Sequence, residues 1–237
     1  MKRYILVAIL FCGIIAVSGC IGQNSGSGKL VNETKNVSGF NKVALNGTGN
    51  LIINQGNAES LTVEAEDNVV SNIKTEVNNN QLNIKFENLV VVPTKPVNYY
   101  LTVQNINSIN ISGAGKVQSN NLNSNNLNIE INGAGSGNIT NLTASTLTIK
   151  INGAGKMDTT GNVNDQTINI SGAGEYAAKD LMSKNSNISV DGAGKATVRV
   201  SDQLNAMING AGAIYYIGNP QVTRQVNGAG SIQQITG

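Results

Sequence analysis

The sequence predicts an all-β protein built as a solenoid of stacked coils, each about 18–20 residues long, a length typical of one repeat unit. Three observations carry that reading. The triplet Gly-Ala-Gly recurs seven times, starting at Gly113, Gly133, Gly153, Gly172, Gly192, Gly210 and Gly228, so that the spacing is nearly constant and shortens slightly toward the end. A polar residue precedes each triplet: Ser112, Asn132, Asn152, Ser171, Asp191, Asn209 and Asn227. In front of most of these stands a short alternation such as Leu127-Asn128-Ile129-Glu130-Ile131 or Leu147-Thr148-Ile149-Lys150-Ile151. A fixed period of roughly 20 residues marks units that cannot bury an apolar face alone and must stack. Period-two alternation is the strand pattern, and no stretch carries a 3.6-residue apolar period.

The first element is an export segment over residues 1–19. Lys2 and Arg3 precede an apolar run from Ile5 to Val17, and Ser18-Gly19-Cys20 follows. A basic start, a compact apolar middle and small residues at the cleavage point form a signal peptide. The run is shorter than the roughly 20 apolar residues a membrane-spanning helix needs. Val17-Ser18-Gly19-Cys20 resembles the lipobox of secreted lipoproteins, so Cys20 is expected to be the lipidated first residue of the mature chain. Cys12 leaves with the signal peptide, and a mature chain without thiols must rely on core packing.

Removing Lys2 and Arg3 leaves 14 basic side chains against 14 acidic ones. That balance, with no clustered Lys and Arg, argues against nucleic acid as a partner. Residues 20–36 are rich in Gly, Ser, Asn and Lys, a composition expected to give a flexible tether between lipid and body.

The folded body spans 37–237, with irregular first coils over 37–105 and regular coils over 106–237. Leu45-Asn46-Gly47-Thr48-Gly49-Asn50-Leu51 reads as an eighth, diverged corner. Pro93 and Pro96 interrupt the strands after Leu89-Val90-Val91-Val92, because proline cannot donate to a ladder. A separate small β domain over 37–105 is the alternative.

Aligning the regular coils on the triplet gives inward columns. One holds Ile111, Ile131, Ile151, Ile170, Val190, Ile208 and Val226; the other holds Ile109, Ile129, Ile149, Ile168, Ile188 and Ala206. Between them lies an outward column of Asn110, Glu130, Lys150, Asn169, Ser189 and Met207. After the triplets, Lys156, Glu175 and Lys195 alternate in sign on consecutive coils, as weak register marks. The corners themselves are Gly113 and Gly115, Gly133 and Gly135, Gly153 and Gly155, Gly172 and Gly174, Gly192 and Gly194, Gly210 and Gly212, and Gly228 and Gly230. Glycine reaches positive φ and allows close approach of neighbouring corners. The Asn, Ser or Asp in front is expected to bond the turn backbone. None of the triplets continues to G-x-G-x-x-G, which excludes a phosphate-cradling loop of that type.

The repeated strand–Asn-Gly-Ala-Gly corner, preceded by Gly39-Phe40-Asn41-Lys42-Val43-x-Leu45-x-Gly47-x-Gly49, resembles the head GIN domain family, labelled as autotransporter adhesins. The resemblance implies a right-handed parallel β-helix and a surface role. It supplies no catalytic residues. No pore domain follows in the sequence, so display at the surface is expected to come from lipidation at Cys20.

Catalysis has little material. The chain has no His and, once processed, no free Cys, which removes Ser/His/Asp and Cys/His constellations and His- or Cys-built zinc sites. Asp158, Asp165, Glu175 and Asp191 do not recur at coil spacing, and the calcium-binding β-roll repeat is absent. The expectation is therefore a non-enzyme with no cofactor and no metal. The favoured role is a lipid-anchored, extracytoplasmic protein of the cell envelope that binds surface glycans or proteins. Its exterior would be a polar carpet with aromatics at Tyr99, Tyr100, Tyr215 and Tyr216. A purely structural envelope component is the alternative, and a carbohydrate-active enzyme the third reading. Eight N-x-[ST] sequons, at Asn32, Asn36, Asn46, Asn110, Asn138, Asn141, Asn169 and Asn187, matter only in a host that glycosylates its surface proteins. The short segment after Gly230 is expected to fold back over the last coil or to leave an end that a second copy covers, giving a homo-oligomer.

Overall fold

The computed structural model describes residues 24–87 and 91–237; the export segment and Cys20 lie outside the described residues. One sheet of 17 strands runs through almost all of it, wrapped around a single apolar cluster from Val37 to Ile232. The chain is a β-solenoid.

Its regular part follows from strict parallel register. Ile109, Ile129, Ile149, Ile168, Ile188 and Ala206 are consecutive strand partners, as are Ile111, Ile131, Ile151, Ile170, Val190 and Ile208. All twelve are buried. β-branched side chains repeated at the inter-strand spacing of about 4.8 Å fill this interior with few rotamers to freeze. Each coil has three sides. In the coil Ser136–Gly153 the alternation of buried and exposed residues changes phase at Asn141, at Ser145-Thr146 and at the triplet. Asn141 turns its corner with φ 54°, a left-handed conformation that Asn tolerates better than most residues.

The two glycines of a triplet act for different reasons. Gly153 has φ 120°, and a Cβ there would also lie 2.6 Å from the Gly133 carbonyl oxygen of the coil before. Gly155 needs no unusual φ; its Cβ would meet Ile131 Cγ2 at 2.6 Å, inside the core. The residue in front of the triplet also differs from expectation. Rather than bonding the turn, Asn152 Nδ2 donates to Asn132 Oδ1 at 2.7 Å, Asn209 to Asp191 at 2.7 Å, and Asn227 to Asn209 at 2.9 Å. Parallel in-register coils place these side chains directly above one another, and an amide can donate on one side while accepting on the other.

Coil order along the axis is not chain order. Lys42–Gly47 pairs with Ser108–Gly113 on one edge, aligning Gly47 with Gly113, and with Gln81–Phe86 on the other. Asn50–Gln55 likewise lies between Lys116–Asn120 and Asn98–Val103. The chain thus lays down a middle coil, adds one on its far side, and returns to build the regular stack. Antiparallel strands cover the far end: Ile73–Asn78 on Gln81–Phe86 through the Asn79-Asn80 turn, and Ser60–Glu66 on Asn98–Val103. Such pairing consumes edge groups that would otherwise template association.

Residues expected in the flexible tether take part in this cover. Leu30–Lys35 is a strand paired antiparallel with Ser60–Glu66, and Asn24–Ser25 pairs with Val91–Val92. Buried Glu66 holds the junction, accepting hydrogen bonds from Gly28 N at 2.7 Å, Thr94 N at 2.8 Å and Thr94 Oγ1 at 2.5 Å. These donors, the Thr94 hydroxyl foremost, hold its carboxyl down at about 2. Composition alone points to mobility, but backbone pairing and one buried carboxylate fix these residues.

The other end is open. Among the described residues Gln221–Gly228 pairs only with Lys195–Gly210. Val226, which the repeat places in the buried column, is 40% exposed because no further coil lies on it.

Candidate binding surface

The strand in front of each triplet turns three outward columns to solvent. The outermost runs Ser108, Asn128, Thr148, Thr167, Asn187, Asn205 and Thr223; the next Asn110, Glu130, Lys150, Asn169, Ser189, Met207 and Gln225; the last Ser112, Asn132, Asn152, Ser171, Asp191, Asn209 and Asn227. Up to the coil that ends at Gly210, each position is held by inward neighbours buried in the core, which makes a flat, largely amide-and-hydroxyl surface. In the first column Asn205 donates to Asn187 at 2.9 Å, matching the Asn ladder beside the triplets. An amide bonded to its neighbour keeps one N–H and one carbonyl lone pair for a ligand. A shallow groove of about 240 Å³ lies at its C-terminal half, between Thr167, Asn187, Asn205, Met207 and Gln225.

Charges on the coils have their own partners. Glu130 and Lys150 are register neighbours, yet Glu130 takes its hydrogen bonds from Asn132 at 3.1 Å and from Asn110 and Asn152 at 3.4 Å. On the side following the triplets, Glu175 lies 3.9 Å from both Lys156 and Lys195, and Lys156 reaches Asp158 at 3.6 Å. Exposed pairs of this kind contribute about 0–1 kcal/mol each. Asp191 joins the amide ladder, and Asp165 accepts from Asn185 at 2.8 Å. Of the four carboxylates weighed from sequence, Asp158 and Glu175 share Lys156, while Asp165 and Asp191 each accept from an asparagine elsewhere. Among the described residues no cluster of three or more His, Cys, Asp or Glu could hold a metal.

Of the tyrosines expected on the exterior, Tyr99 turns inward, while for Tyr215-Tyr216 the alternation predicts one ring inside and one out. Tyr99 is fully buried, while Tyr100 is 40% exposed, as period-two alternation requires of neighbours. Tyr216 packs on the core, and the Tyr215 ring lies under Lys195 Nζ at 5.4 Å from its centre. Sequence reading missed a polar network within the solenoid. Tyr176 Oη donates to Gln166 Oε1 at 3.2 Å, Gln166 Nε2 to Ser183 Oγ at 2.8 Å, and Ser183 Oγ to the Arg199 carbonyl at 2.8 Å. The available signal was Gln166 and Ser186 standing in an inward column of Leu127, Leu147 and Leu204.

The sequence profile of the family described as "Putative auto-transporter adhesin, head GIN domain" matches residues 39–220. The chain belongs to the head GIN domain family. Solved structures share the GIN architecture. A "putative adhesin" from Bacteroides fragilis superposes with a TM-score of 0.82 at 27% identity, covering 89% of this chain and 99% of that one. A "Putative lipid binding protein" from Parabacteroides distasonis gives a TM-score of 0.73 at 20% identity, covering 89% and 98%. A "putative adhesin" from the same organism gives 0.73 at 20%, covering 90% and 99%. The last two show the fold alone. No curated protein matches this GIN domain chain.

Proposed function

We propose that this GIN domain is a non-enzymatic binding module, held at the outside of a cell membrane by lipid on Cys20, whose flat polar face contacts surface glycans or proteins. The observation that carries the reading is the in-register array of outward Asn, Ser and Thr before the triplets, with its amide ladders. Rigid donors and acceptors at a constant spacing lose little conformational entropy when they engage a partner. The adhesin label of the family and of the B. fragilis structure supports the same class of role. A glycan array probed with the full chain tests it. Specific binding that weakens when Asn187 and Asn205 are both changed to Ala is the expected result; binding unaffected by those changes refutes the assignment of the face. Mass spectrometry of the cell-derived protein tests the anchor, since an unmodified Cys20 refutes it. A purely structural envelope role, with copies contacting one another through the solenoid end, is favoured by one observation: the open edge at Gln221–Gly228.

A further inference from the structure

A second concave site lies on another side of the solenoid, where the coils shorten. The triplet starts Gly172, Gly192, Gly210 and Gly228 draw closer together after Gly192. The register shows where the residues are lost: Ala178 pairs with Val198 and Met182 with Arg199, so Lys179, Asp180 and Leu181 have no partners on the next coil. A notch of about 550 Å³ lies next to this step in the register, with Met182, Lys184 and Arg199 among its lining residues. That volume is within the range of small-ligand sites. Its floor is fixed, because Ser183 is held by Gln166 on one side and by the Arg199 carbonyl on the other.

The lining has a definite chemistry. Arg199 and Lys184 both face the notch, and among the described residues neither forms an ion pair. Arg199 Nε donates to the Lys179 carbonyl at 2.8 Å, which orients the guanidinium; its Nη2 lies against Gly237, and among the described residues no Asp or Glu pairs with it. The nearby Asp202 accepts from the Ser201 hydroxyl, and Asp180 pairs with Lys179. The amides of Asn162, Asn164 and Asn219 supply neutral donors and acceptors, and Met182, 60% exposed, forms the apolar wall together with Val163 and Val200.

We infer that this notch binds a carboxylate-bearing sugar, such as a uronate unit of an acidic polysaccharide. A planar guanidinium matches a carboxylate in a bidentate fork, with the lysine as a second positive charge. Sugar hydroxyls take the asparagine amides, and the polarizable thioether of Met182 packs on the C–H face of the ring. An extended peptide fits less well, because the strands lining the notch pair within the sheet and offer no edge to extend. The site is on a different side from the flat polar face and stands or falls independently of it.

The test is calorimetric titration of the full chain with a short oligogalacturonate, its carboxyl-reduced counterpart, and vesicles containing phosphatidylglycerol. The expected result is binding of the uronate form that weakens with salt and is lost with the reduced form. Replacement of Arg199 and Lys184 by Gln should weaken it about ten-fold or more, in line with hydrogen bonds to charged groups. Lys184→Gln alone, which leaves the Arg199–Lys179 contact intact, should weaken it measurably with an unchanged circular dichroism spectrum. No binding of the oligogalacturonate, equal binding of the reduced form, binding insensitive to Lys184→Gln, or binding confined to vesicles would each overturn the assignment.

Discussion

Thr94 and Glu66, 28 residues apart in the chain, meet through a 2.5 Å hydrogen bond from the Thr94 hydroxyl to the buried carboxylate. The same carboxylate accepts Gly28 N, so one side chain ties the entering segment to the cap that closes the far end of the solenoid.

This contact predicts acid sensitivity. The carboxyl of Glu66 is lowered from 4.5 to about 2 on folding, so its contribution is complete above 4.5 and disappears as pH falls toward 2. Thermal unfolding followed by circular dichroism should show a midpoint that declines across that window. Glu66→Gln places an amide nitrogen among N–H donors, so it should lower the midpoint at neutral pH and flatten the acid decline. A variant with the wild-type pH profile would remove Glu66 from this role.

The corner glycines should be separable by substitution. Gly39 has φ 76° and open space around it, so Gly39→Ala meets conformational strain alone, about 1 kcal/mol. Gly155→Ala overpacks the core against Ile131 and should cost about 1–3 kcal/mol. Gly153→Ala combines a positive φ with a backbone clash at 2.6 Å and should be the most damaging of the three. Urea midpoints rank them, and a Gly153→Ala as mild as Gly39→Ala would contradict the account of the corner.

The open end makes a contrast within a single column. Ile208 is fully buried, and Ile208→Ala should cost about 2–5 kcal/mol. Val226 occupies the equivalent position one coil later but is 40% exposed, so Val226→Ser should stay within about 0.5 kcal/mol. Equal losses in urea titrations would mean that the terminal coil is covered in solution, and a concentration-dependent midpoint would identify a second copy as the cover.

The regular coils were legible in the sequence because two local signals agree there. Ile149 and Ile151 alternate with polar neighbours, and the same spacing returns one coil later at Ile168 and Ile170. Translation along the repeat then gives partners, facing and corner positions without any long-range information. The same logic fails where translation fails. It places Val226 inside because the column continues in sequence although the stack stops. It could not show that Gln81–Phe86 and Ser108–Gly113 flank Lys42–Gly47, since alternation says which side of a strand is buried but not which edge receives the next strand. Local side-chain-to-backbone bonding, the usual habit of Asn, predicts a turn role for Asn152, whereas here its partner lies 20 residues away. The notch beside Met182 was present only as a change in interval after Gly192, which is a statement about length until the register converts it into shape.

The middle placement of Lys42–Gln55 makes the molecule a ruler with a fixed zero. Everything that closes the far end is built from residues before 108, while every regular coil from Ser108 onward is added on one side only. Duplicating or deleting one complete coil, such as Ser136–Gly153 with its corner, would move the terminal edge by about 4.8 Å without touching the cap. Reach from the capped end is therefore set by copy number, and the seven triplets are the graduations.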